Sequence, residues 1–160
     1  LGTAVTGAAV LVATTVPAPP ARAFDLFTRD IGQWWGIGPA YEFHPGRNGR
    51  LRFDPDGPGG RLVEAYPGGQ VYVIGRVTAW EPGVRVAFEW RLPTFRAGQM
   101  THVEVGFRGV AGGTRVTVEH GGWDTVPADH PARHGLPATA HGQQVGRFWT
   151  TVLRRLSRLA

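Results

Sequence analysis

Two hydrophobic periods divide the chain. Between Tyr41 and His120 apolar and polar residues alternate, the period of half-buried strands, whereas from Val145 onward apolar residues recur every three or four positions, the period of an amphipathic helix. The alternation is clearest in the later strands. Val86, Phe88 and Trp90 oppose Arg85, Ala87 and Glu89; Val103, Val105 and Phe107 oppose His102, Glu104 and Gly106; Val116, Val118 and His120 oppose Arg115, Thr117 and Glu119. The first-named set of each is expected to face a core. Over Gln70–Trp80 both parities are apolar, and Val71, Val73 and Val77 are assigned inward because Arg76 and Thr78 share the other side.

On this pattern strands are expected at Gly7–Val16, Tyr41–His44, Arg50–Phe53, Arg61–Ala65, Gln70–Trp80, Arg85–Arg91, Met100–Arg108 and Thr114–His120. Segments such as Pro45-Gly46-Arg47-Asn48-Gly49, Pro67-Gly68-Gly69 and Ala111-Gly112-Gly113 supply the turn chemistry between them, and connections this short imply antiparallel neighbours. After the first strand, Pro20 suits a first helical turn, where its missing N–H costs nothing. Ala23, Phe24, Phe27 and Ile31 then follow at helical spacing, with Asp25 complementing the helix dipole. Asp30–Gly36 reads as a second short helix ended by Gly36, Gly38 and Pro39. Asp124–Pro137 reads as a loop, and Val145, Trp149, Val152, Leu156 and Leu159 form the apolar stripe of a long C-terminal helix flanked by Arg147, Arg154, Arg155 and Arg158.

The predicted fold is therefore α+β: a curved antiparallel sheet of about seven strands around a long C-terminal helix, with two short helices after the first strand. A chain of 160 residues makes one domain, 1–160, large enough to bury a core without disulfides or metals. Because the sequence does not begin with Met, residues 1–6 are expected to be processed or truncated and to lie outside the ordered fold.

Composition narrows the function classes. Cysteine is absent, which removes disulfides, thiolate metal sites and cysteine nucleophiles together. The formal charge is +5 and all 17 basic residues are Arg, but they are scattered, with only Arg154, Arg155 and Arg158 clustered, so no basic stripe for nucleic acid is expected. Leu1–Val16 is apolar, yet it lacks a charged n-region and is interrupted by Thr3, Thr6, Thr14 and Thr15, so neither a signal peptide nor a membrane span is expected and a cytoplasmic setting fits best. No G-x-S-x-G elbow, phosphate loop or strand-linked G-x-G-x-x-G occurs.

Four motifs in fixed order carry a family resemblance: Val16-Pro17-Ala18-Pro19-Pro20, then Trp34-Trp35-Gly36, then Gly75-Arg76-Val77 with Trp80-Glu81-Pro82 and Phe88-Glu89-Trp90, then Gly113-Thr114-Arg115-Val116 with His120-Gly121-Gly122-Trp123. In this order the chain resembles the SRPBCC (START/Bet v 1-like) superfamily, and within it the bacterial branch similar to the heat-shock-protein-90 ATPase activator. The stretch Thr28-Arg29-Asp30-Ile31-Gly32 between the short helices is compressed relative to that pattern. The resemblance implies the helix-grip fold and a deep apolar cavity between sheet and terminal helix, in a superfamily of lipid and hormone carriers, polyketide cyclases and chaperone regulators.

The expected ligand-binding set is Trp35, Phe53, Val77, Phe88, Trp90, Val103, Val105, Val118, His120, Trp123 and Trp149. Such residues serve a packed core or an apolar pocket equally well, and both readings stay open. His120 is the inward imidazole at a strand end: either a hydrogen-bonded structural histidine or the candidate polar anchor and general acid/base. His130, His134 and His141 invite a zinc reading, but Pro131 and Pro137 break the helix that ligand spacing needs, so neither a metal nor another cofactor is expected. The leading function is binding of a hydrophobic, apolar or aromatic small molecule by a monomer or homodimer. The alternatives are a polyketide cyclase or dehydratase, and a chaperone-regulating interaction domain.

Overall fold

The computed structural model describes the backbone of residues 3–6 and the whole of residues 9–160. Strands β1 (Thr3–Thr6) and β2 (Ala9–Val16) are followed by helices α1 (Pro20–Thr28) and α2 (Ile31–Trp34). Then come β3 (Arg50–Asp54), β4 (Arg61–Ala65), β5 (Val71–Glu81), β6 (Arg85–Trp90), β7 (Thr101–Val110), β8 (Gly113–Gly121) and the C-terminal helix α3 (Ala138–Leu159). Among the described residues the strands form one antiparallel sheet in the order β1-β2-β8-β7-β6-β5-β4-β3. This is the expected helix-grip arrangement. The edge strand β1, pairing Thr3 with Val12 and Thr6 with Ala9, stands where no element was expected; Gly7 and Ala8 of the expected first strand lie outside the described residues.

Inward parity holds on three strands: Val86, Phe88, Trp90, Val103, Val105, Phe107, Val116, Val118 and His120 are all buried. On β5 the expected face is corrected. Val71 is exposed and Val73 half-buried, while Ile74 is buried, Tyr72 packs on the core, and Val77 and Trp80 follow on the same side. Two register shifts explain this, one opposite Leu62/Val63 and one between Val77 and Ala79, because each bulge inserts a residue and flips the parity after it. Beside the first, a Cβ on Gly75 would sit 1.8 Å from the Glu89 carbonyl oxygen, so only glycine fits.

Three further expectations are corrected. Tyr41–His44 is not a strand; a 3₁₀ turn, Pro39–Tyr41, leads into irregular chain. The second helix is a single turn, since Gly36 takes φ +136°. The Asp124–Pro137 loop contains two 3₁₀ turns, Trp123–Thr125 and Pro131–Arg133. On α3 the stripe Trp149, Val152, Leu153 and Leu156 is buried, whereas Leu159, the last residue of the helix, is 38% exposed.

One continuous core joins sheet and helices. Phe24 and Phe27 of α1 meet Phe107 at 5.3 and 6.0 Å between centroids, and Phe53 meets Trp80 and Phe88 at 5.6 Å each. Aromatic side chains thus fill the α1 end of the sheet's concavity. Burying each large side chain contributes roughly 1.5–3 kcal/mol. The Arg155 Nε–H donates to the Trp34 carbonyl at 2.8 Å, tying the far end of α3 to the C-terminus of α2.

Candidate functional site: an aromatic cleft at the open end of the sheet

The Trp34-Trp35-Gly36 motif divides its labour. Trp34 is buried and donates from Nε1 to the Leu26 carbonyl at 2.8 Å, making it floor, while Trp35 turns the other way and donates to the Tyr41 carbonyl at 3.1 Å. Gly36 allows the return of the chain: a side chain there would meet the Tyr41 ring at 2.5 Å, besides requiring an unfavourable φ. Trp35 then joins Trp90 and Trp149 in a triangle of indoles with centroids 5.6 to 5.9 Å apart.

His120 sits beneath this triangle with both ring nitrogens engaged. Trp149 donates its indole N–H to Nδ1 at 3.0 Å. An indole can only donate, so Nδ1 is the bare nitrogen and the imidazole proton is on Nε2, which donates to Thr101 Oγ1 at 2.8 Å; that hydroxyl donates in turn to the Trp90 carbonyl at 3.2 Å. Burial, with lesser contributions from His102 and His141, pushes the imidazole down to about 3. His120 is a neutral clasp linking β6, β7, β8 and α3.

Beyond the triangle two adjoining lobes of about 320 and 330 Å³ open between the end of the sheet, α3 and the loops around residues 40 and 132. Trp90, Leu92 and Phe148 line both. The first lobe adds Trp35, Tyr41 and Phe43; the second adds His120, Trp123, His141, Gln144, Val145 and Trp149. Of the residues expected to bind ligand, the structure therefore brings Trp35, Trp90, His120, Trp123 and Trp149 to the cleft. It places Phe53, Val77, Phe88, Val103, Val105 and Val118 in the packed core, away from both lobes.

Several lining residues escaped the sequence reading. Extending the α3 stripe upstream by two steps of four, Trp149 to Val145 to His141, would have found His141, which is buried, packs edge-on against Trp123 at 4.6 Å and is held below the usual imidazole range by burial and then by Arg133. Phe148 lies off the stripe and gave no periodic signal. Glu64 gave none either, yet it shapes the wall. Fully buried on β4, it accepts hydrogen bonds from the backbone N–H groups of Phe43 at 2.7 Å and His44 at 3.0 Å, and from the Tyr66 hydroxyl at 2.7 Å. Burial and this hydrogen bond push the Tyr66 phenol up. Tyr72, whose hydroxyl donates to the Arg91 carbonyl, is pushed up to about 12, mainly by burial. His130 is used in its own loop, accepting from the Ala132 N–H through Nδ1 at 3.0 Å, with Nε2 3.0 Å from the Thr94 carbonyl.

Among the described residues no helix is long and apolar enough to cross a membrane. Solved structures share the fold. A protein from Rhodobacter sphaeroides is 19% identical with a TM-score of 0.64, covering 99% of this chain and 95% of that one. DynU16, from the dynemicin biosynthetic locus, is 22% identical with a TM-score of 0.61, covering 96% of this chain and 47% of its own. An Hsp90 activator from Plasmodium falciparum is 17% identical with a TM-score of 0.54, covering 78% of each chain. No curated protein matches the sequence. The family model for "Activator of Hsp90 ATPase homolog 1-like protein" matches residues 17–160, from the proline-rich start of α1 through the cleft to the end of α3, and the chain belongs to that family.

Proposed function

We propose that the protein binds an apolar or aromatic small molecule in this cleft. The observation that carries the reading is the pair of adjoining lobes walled by Trp35, Trp90, Phe148 and Trp149, a mainly aromatic surface with a volume at the lower end of ligand sites. Binding without a covalent step suits the chemistry present: a clasped, neutral His120 is poorly placed to shuttle protons, which weighs against a cyclase that relies on it. A cytoplasmic setting and a monomeric or homodimeric state belong to the same proposal, in keeping with a chain that lacks cysteine.

Titration with fatty acids, flavonoids and polyketide-like aromatics, read by tryptophan fluorescence and melting temperature, tests it. One class is expected to change the indole emission and raise Tm, because a ligand that binds the native state stabilises it by mass action. Silence from all three would overturn the reading and favour the second one, regulation of an Hsp90-type chaperone, which the family match supports.

A further inference from the structure

Beside the second lobe, whose lining mixes aromatic residues with His120, His134, His141 and Gln144, lies a buried charge. Arg133, on the Pro131–Arg133 turn, is only 8% exposed and joins no ion pair among the described residues. Its Nη1 donates to the Val126 carbonyl at 3.2 Å, and its Nε–H is buried without a partner. Arg133 lies behind the lining rather than in it: the residues on either side of it, Ala132 and His134, both line the lobe, and its charge is one cause of the lowered basicity of His141 on the lobe wall. Trp123, also on that wall, carries the other buried N–H that lacks a partner among the described residues.

A guanidinium this deeply buried is ordinarily paired, and buried donors are ordinarily satisfied. Water could accept from the two N–H groups, but it would leave the cation uncompensated. An acceptor bearing negative charge meets both needs. Resting on the ligand-binding reading, we infer that the lobe selects an aromatic acid, with the ring system against Trp90, Phe148 and Trp149 and the carboxylate on the Trp123 and Arg133 side.

Calorimetric titration of the full chain with 2-naphthoate and its neutral counterpart 2-naphthamide separates this inference from the reading beneath it. The acid is expected to bind about ten-fold tighter than the amide, the factor a charge-assisted hydrogen bond supplies. Arg133→Met should bring the two affinities together by weakening the acid alone. Trp123→Phe keeps the ring and removes the N–H, and should weaken the acid several-fold; it carries the test by itself if Arg133→Met does not fold. Equal affinities in the parent protein, or a preference that survives both substitutions, would overturn the inference while leaving the cleft a ligand site. Binding of neither probe would count against the ligand site itself and take the inference with it.

Discussion

His120 concentrates the logic of the fold in one side chain. It closes a chain of donors and acceptors from the Trp149 indole to the Trp90 carbonyl, and each of those two tryptophans also forms cleft wall. His120→Ala leaves the Trp149 N–H buried without an acceptor and opens a void beneath the indole triangle. The orphaned donor alone costs roughly 1–3 kcal/mol, and the void adds to that. Urea unfolding at neutral pH should therefore show a loss of several kcal/mol. A loss under 1 kcal/mol would mean that the clasp contributes little.

At the scale of elements the cleft depends on segments that are not themselves regular. The irregular run from Glu42 to Gly49 carries part of the aromatic wall, and the Glu64 carboxylate is what holds it, by accepting two consecutive backbone N–H groups. Gly49 approaches so closely that a Cβ there would lie 2.4 Å from the Glu64 side chain. Glu64→Gln turns one acceptor oxygen into a donor that faces other donors, and should destabilise by about 1.5–3 kcal/mol. Amide exchange should quicken locally at Phe43 and His44 before the sheet opens; unchanged protection at those two amides would refute the pin. The same segment marks the boundary of what periodicity can convey. The later strands were legible because one face is buried and the other wet, so parity reports the fold directly. Tyr41 and Phe43 alternate with Glu42 and His44 as a strand would, but their backbone partners are a buried carboxylate and a 3₁₀ turn, which no period encodes. On β5 the bulges erased the parity signal, and on both faces Val, Tyr and Ile read alike. The aromatic wall was half legible for a related reason: Trp90 and Trp149 lie on periodic stripes, whereas Phe148 reaches the cleft from off the α3 stripe and Tyr41 and Phe43 reach it through loop geometry.

For the molecule as a whole, the buried imidazoles set how stability answers to acid. His120 has an ordinary value of 6.5 when the chain is unfolded and about 3 in the fold, where burial disfavours its charged form, and His141 is shifted in the same direction. A group whose native value is depressed binds fewer protons folded than unfolded throughout the window between the two values. Its contribution is thus fully present above about 6.5 and is lost as pH falls toward 3, at up to roughly 1.4 kcal/mol for each pH unit within the window. The unfolding free energy is expected to be flat from pH 8 to 7 and to fall steeply from pH 6 to 4. Growing self-repulsion in a chain that carries +5 at neutral pH would also weaken it in acid, so the slope alone does not assign the cause. Two comparisons do. The ring signals of His120 in the folded protein should stay unchanged from pH 7 to 5, because the native imidazole does not titrate there, and the His120→Ala protein should lose markedly less stability over the same interval than its parent. A His120 ring that titrates near pH 6 in the folded state would break the argument, since it would place the proton on a group that the Trp149 and Thr101 hydrogen bonds are held to keep neutral.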